Sequence, residues 1–182
     1  MPSSTAAPAR MNVSRPPWLT GLAPLFDDDR AAVSAHLLRL PPADRVQRFG
    51  APTSDAVLAA YVQTMGLRGS VGLFVDGVLV GVAHLPAISE RERELGLSVE
   101  APLRAHGWGR ALLDASLAAL HAVGAETLTA HYAFDNRPMA RLVRPLERQT
   151  ERDGAQFTAR MSVEAWARDA ASAPNALIES VQ

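Results

Sequence analysis

The sequence predicts one domain of mixed α/β (α+β) class, with helices packed on a mixed sheet. Three observations predict it. Apolar periodicity is helical before residue 66, alternating after residue 70, and then switches repeatedly between the two. Glu94–Tyr132 has strand–helix–strand order, so its two strands are expected to be parallel and joined by a right-handed crossover. The 182 residues, 48% of them hydrophobic, suffice for one core, and neither a repeat nor a linker interrupts residues 18–168.

The elements follow in order. Asp27-Asp28-Asp29 places carboxylates at a helix start, and Val33, Leu37 and Leu40 continue at helical spacing until Pro41-Pro42 interrupts. Thr53-Ser54-Asp55 opens a second helix, whose stripe is Val57, Leu58, Tyr61, Val62 and Met65; Gly66 and Gly69 end it. Ser70–Val75 and Val78–His84 flank Asp76-Gly77, a two-residue hairpin signal. Glu94–Val99 alternates as a third strand, with Leu95, Leu97 and Val99 on one face and Glu94, Gly96 and Ser98 on the other.

A helix is expected from Arg110, with Leu113, Leu117 and Leu120 on one face and Gly124 as its stop. Thr127–Tyr132 is a strand. Asn136 caps a helix bearing Met139, Leu142, Val143 and Leu146, which Pro145 ends. Asp153-Gly154 turns the chain into the alternating strand Gln156–Val163. Residues 1–17 and 172–182 are expected to be flexible tails.

Composition excludes several chemistries. There is no cysteine, so no disulfide, cysteine-ligated metal or cysteine nucleophile. All 18 Lys+Arg residues are arginine, which removes the lysine of a nucleoside-triphosphate loop and any Schiff base. The net charge of −1 suggests neither nucleic acid nor an anionic membrane as partner. No segment has the apolar length of a signal peptide or membrane span, and the expected compartment is the cytoplasm.

The segment richest in chemistry is Arg104-Ala105-His106-Gly107-Trp108-Gly109, between a strand ending at Val99 and a helix from Arg110. Two glycines allow a tight turn that converges backbone N–H groups, and the helix dipole adds positive potential. Such a turn suits a phosphate or pyrophosphate. A dinucleotide fingerprint would need a third glycine where Leu112 stands. Arg/Gln-x-x-Gly-x-Gly/Ala after a strand ending in Val does fit.

In that motif, and in Asn136-Arg137-Pro138-Met139 opening the next helix, the chain resembles the GNAT N-acetyltransferase superfamily. The stretch Leu40-Pro41-Pro42-Ala43-Asp44-Arg45 to Arg48-Phe49 is similar to the family's early helical region. The resemblance implies one domain over about residues 18–168, with a splayed parallel strand pair and helices on both faces.

It further implies acetyl-coenzyme A as cosubstrate, no metal, and direct transfer to an amine on a small molecule or a protein. Arg104, Ala105, His106, Gly107, Trp108, Gly109 and Arg110 would cradle the pyrophosphate. Leu97 and Val99 would pair with the pantetheine arm, the Val99 N–H serving as oxyanion donor, and Asn136 would contact the arm from the other side. An alkylammonium of pKa about 10.4 must lose a proton before attack. Glu94 matches the family's acidic strand residue and is the first candidate base; His84, His131 and water are the others. The family's usual tyrosine acid is replaced by Val143, which leaves the acid to Tyr132 or water. The resemblance leaves room for a homodimer and does not name the acceptor. The rival reading is a non-catalytic module that binds coenzyme A or an acyl form of it as a sensor or structural subunit.

Overall fold

The computed structural model describes residues 19–172. The two expected tails lie outside the described residues, except Ser172, which ends the last helix. The elements are β1 (Gly21–Pro24), α1 (Arg30–Arg39), α2 (Pro42–Phe49), α3 (Asp55–Thr64), β2 (Val71–Val75), β3 (Val78–His84), β4 (Glu92–Glu94), β5 (Gly96–Val99), α4 (Trp108–Ala122), β6 (Thr127–Ala133), α5 (Arg137–Val143), β7 (Glu147–Asp153), β8 (Gln156–Ser162) and α6 (Val163–Ser172).

The acidic triplet forms a 3-10 turn leading into α1. Pro42 stands in the first turn of α2, where its missing N–H costs nothing, and Gly50 ends that helix. Ser54 caps α3 by accepting the Val57 N–H. The Asp76-Gly77 turn has positive φ at both residues (49° and 75°), the geometry that matches strand twist in a tight hairpin.

The expected single strand Glu94–Val99 is divided. β4 pairs in parallel with β6, whereas β5 pairs antiparallel with β3. Leu95 is the joint, and its N–H donates to the Thr129 carbonyl at 2.7 Å. One extended segment therefore serves two sheets, ordered β1-β2-β3-β5 and β4-β6-β8-β7. Beyond Leu95 the two parallel strands no longer pair, and a cleft opens between β5 and β6.

Three elements carried too weak a pattern to be expected. β1 is four residues long and ends in proline. β7 reads Glu-Arg-Gln-Thr-Glu-Arg-Asp, nearly all exposed, and is held by its backbone ladder to β8. α6 begins at Val163, where the expected strand was to finish; Ser162 accepts the Ala165 N–H at 3.2 Å and starts it.

Helices cover both faces of the sheets. Leu112, Leu113, Leu117 and Leu120 of α4 pack with Val143, Leu128 and Met161 in one core. Val33 and Leu37 of α1 and Leu58 and Val62 of α3 pack on Phe74, Leu79 and Val82 in a second core on the other face. α2 touches both β5 and β6, so it spans the cleft.

Candidate active site

Backbone alternation decides what faces the cleft. The Glu100 N–H donates to the Val80 carbonyl at 3.0 Å, and the Leu95 N–H donates to Thr129 on β6. Successive residues turn their N–H and C=O groups to opposite sides of a strand. Leu97 and Val99 therefore face the cleft. The Val99 carbonyl accepts from Arg104 Nε at 2.8 Å, and the same guanidinium forms a bidentate ion pair with Asp44 of α2. Arg104 thus ties the motif loop to α2 across the cleft mouth.

Two cavities meet in this cleft. The first, of about 510 Å³, is lined by Leu97, Val99, Arg104, Ala105, Gly109 and Asn136 among others. The second, of about 730 Å³, lies toward β4 and includes Glu94, Tyr61, His84 and Tyr132. Gln47, Arg48, Leu95, His131 and Asp135 line both.

The motif loop is shaped as a donor cluster. Ala105 has φ 62° and Gly107 φ 83°, a conformation that favours glycine. Among the described residues, no backbone acceptor meets the N–H groups from Ala105 to Arg110; the helix ladder starts with Ala111 donating to Gly107. The side chains do less. His106 is exposed, Trp108 packs against the α4 core, and Arg110 Nε donates to Asp114 at 2.8 Å. Asn136 Oδ1 accepts the Met139 N–H at 3.1 Å, so it caps α5 while standing in the cavity wall.

Of the candidate bases, Glu94 is half-buried in the second cavity and, among the described residues, has no ion-pair partner. His131 is exposed and its Nδ1 lies 3.0 Å from the Thr158 hydroxyl. His84 is not free. Its Nε2–H donates to the Gly66 carbonyl at 2.9 Å, which leaves Nδ1 to accept from the Tyr61 hydroxyl at 2.8 Å. Burial, with the Arg48 cation adding to it, lowers His84 from 6.5 to about 4. It is a neutral anchor for Tyr61. Tyr132 is buried, which raises its phenol, and Glu147 raises it further. Val143 is fully buried in the α4 core, so its position offers no proton.

Other polar groups at the site carry no local sequence signal. His36 of α1 is fully buried, accepts from the Ser98 hydroxyl at 2.8 Å through Nε2, and donates to Glu100 at 3.2 Å through Nδ1. Arg39 adds a 2.9 Å bond to Glu100. These contacts grip β5 on either side of Val99, on the face away from the α4 core. Alternation along the strand puts Gly96 on one face and does not show what lies against it. A Cβ there would collide with the Arg48 guanidinium. A glycine inside a strand signals such a close approach. Gln47 Nε2 faces Asp135 Oδ1 at 3.4 Å, whereas its buried Oε1 has no donor. A buried carbonyl without a donor costs roughly 1–3 kcal/mol.

No cluster among the described residues could hold a metal, and no described helix is long and apolar enough to cross a membrane. No curated protein sequence matches the chain. Solved structures do. The GNAT domain of S. lividans PAT superposes with TM-score 0.68 at 16% identity, covering 78% of this chain and 89% of that one. The paia N-acetyltransferase of Thermoplasma acidophilum, solved with coenzyme A, gives 0.58 at 14% identity, covering 78% and 97%. The ribosomal-protein-S18-alanine N-acetyltransferase of Escherichia coli gives 0.56 at 19% identity, covering 79% and 92%. At these identities the likeness establishes the fold. The model of the acetyltransferase (GNAT) family matches residues 37–146, more than half the chain and all of the cleft from α2 to α5. The chain belongs to the GNAT acetyltransferase family.

Proposed function

We propose that this protein is an acetyl-coenzyme A-dependent N-acetyltransferase that moves the acetyl group directly to an amine. The observation that carries the reading is the cleft itself. A splayed strand pair turns the N–H groups of Leu97 and Val99 into it, and one end opens on the donor cluster at Ala105–Arg110. That end suits a pyrophosphate, held by backbone N–H groups at a helix start. The extended arm of the cosubstrate would lie along β5 and exchange for Arg104 at the Val99 carbonyl. Asn136 bounds it on the α5 side. The structural neighbour solved with coenzyme A supports this choice of ligand.

In the reaction, the amine nitrogen forms a bond to the thioester carbon and the carbonyl oxygen gains negative charge. The Val99 N–H stabilises that oxyanion. The C–S bond then breaks, and coenzyme A leaves as thiolate. Glu94, directly or through one water, takes the proton the amine loses. Solvent returns a proton to the thiolate, since Val143 supplies none. The acceptor enters from the second cavity, on the Glu94 side. The compartment we assign is the cytoplasm.

A thermal melt with acetyl-CoA tests the reading. At a hundred times Kd the ligand adds about 2.7 kcal/mol, a rise of roughly 5–11 °C for a domain of this size. Thiol release with an amine panel tests transfer. No shift at millimolar acetyl-CoA rejects the reading, and a shift without turnover for any amine favours a coenzyme A sensor.

A further inference from the structure

The second cavity carries a pattern of charge that transfer to a plain amine would not need. Arg48 stands in the last turn of α2, half-buried, where the two cavities join. The nearest arginines of α1, α2 and the motif loop are paired: Arg39 with Glu100, Arg45 with Asp55 and Arg104 with Asp44. Among the described residues, Arg48 has neither a carboxylate partner nor a hydrogen-bond acceptor. It leans on the Phe49 ring at 4.8 Å. Its guanidinium lies against β5 at Gly96, where the missing side chain makes room. Beside it, the buried Gln47 Oε1 lacks a donor, and the amide's other end is turned to Asp135. Glu94 and Asp135 line the same cavity.

We propose that the acceptor is a free α-amino acid, its carboxylate held by Arg48 and its amine directed to the thioester along β5. This rests on the acetyl-transfer reading above. A guanidinium binds a carboxylate through two parallel N–H bonds. In an α-amino acid only one carbon separates the nitrogen from the carboxylate. The cation must then lie beside the strand that holds the thioester, which is where Gly96 admits it. In the second cavity one arginine without an ion-pair partner among the described residues shares the wall with two carboxylates, a charge set that complements a zwitterion. A polypeptide N-terminus carries a neutral amide where the carboxylate would be and leaves Arg48 unpaired.

The test is coenzyme A release with the twenty α-amino acids, their carboxamides, and tripeptides with the same first residues. Wild type is expected to use at least one amino acid with kcat/KM roughly tenfold to a hundredfold above its carboxamide and tripeptide. Arg48→Gln should bring that ratio close to one, chiefly through KM for the acid, and Arg48→Lys should restore part of it. The acetyl-CoA melting shift confirms that each variant is folded. A wild-type ratio near one, turnover of tripeptides alone, or a ratio unchanged in Arg48→Gln overturns the proposal while leaving acetyl transfer intact. Absence of any acetyl-CoA shift in wild type rejects the transfer reading beneath it.

Discussion

Acidification should weaken this fold well above the range in which carboxylates titrate. His36 and His84 are both buried, and burial lowers each from 6.5 to about 4; the Glu100 bond opposes this at His36 without reversing it. In the unfolded chain each imidazole takes its proton near 6.5, and in the folded chain only near 4. Between those values the unfolded state binds more protons, so stability falls as pH falls. Each whole pH step in the window costs about 1.4 kcal/mol per histidine. At pH 5 the cost is about 2 kcal/mol for each, or about 4 kcal/mol for both, a large share of a typical domain's stability. Urea unfolding at pH 7.5, 6 and 5 measures it through the midpoint at constant slope. His36→Gln keeps a polar side chain between Ser98 and Glu100 without a titrating ring, and should remove about half of the pH dependence. A wild-type midpoint that moves by less than the equivalent of 1 kcal/mol between pH 7.5 and 5 would refute the reasoning. So would a His36→Gln variant with the full wild-type slope. The link to activity is direct, because protonating His36 breaks its acceptance from Ser98, next to the Val99 N–H.

Other outcomes follow from the cleft. Glu94→Gln should lower kcat by roughly a hundredfold or more with the acetyl-CoA melting shift unchanged; unchanged turnover would remove Glu94 as base. Asn136→Ala should cost about 1 kcal/mol through the lost α5 cap and also weaken acetyl-CoA binding. Asn136→Ser should restore the cap but not the binding, and recovery of both would reduce Asn136 to a cap. Gly96→Ala should shift the melting midpoint by only about 2 °C, since the clashing group is the end of a flexible side chain. It should nevertheless abolish the preference for acids over amides, and a large stability loss with that preference intact would disprove the placement of Arg48.

Much of the architecture was legible because it is written in local periodicity. The Asp76-Gly77 hairpin, the α4 stripe, the Asn136 cap and β8 each rest on residues a few positions apart. β7 was not, because an exposed strand of charged residues is held by its backbone partner, not by its own pattern. α6 was masked by an alternating run that continues to Val163, with Ser162 as the overlooked start signal. In the site, the donor turn was legible because glycines and a helix start lie within six residues. His84 looked like a candidate base because a sequence does not show that both ring nitrogens are occupied by Tyr61 and Gly66.

The sequence by itself determined the parts that depend on neighbours along the chain. These are the mixed α/β class, the Arg104–Gly109 turn with its converging N–H groups, the alternation along residues 94–99, and the absence of any cysteine or lysine chemistry. Tertiary structure alone decided where the strand breaks. Leu95 still bonds to β6, while Gly96–Val99 are drawn to β3, so the cleft exists only through competition between two distant partners. It also decided that Arg48, 48 positions before Gly96, would lie on β5, and that His36, Ser98 and Glu100 would meet behind it. Contacts across such separations depend on packing several elements at once, and no local pattern encodes them.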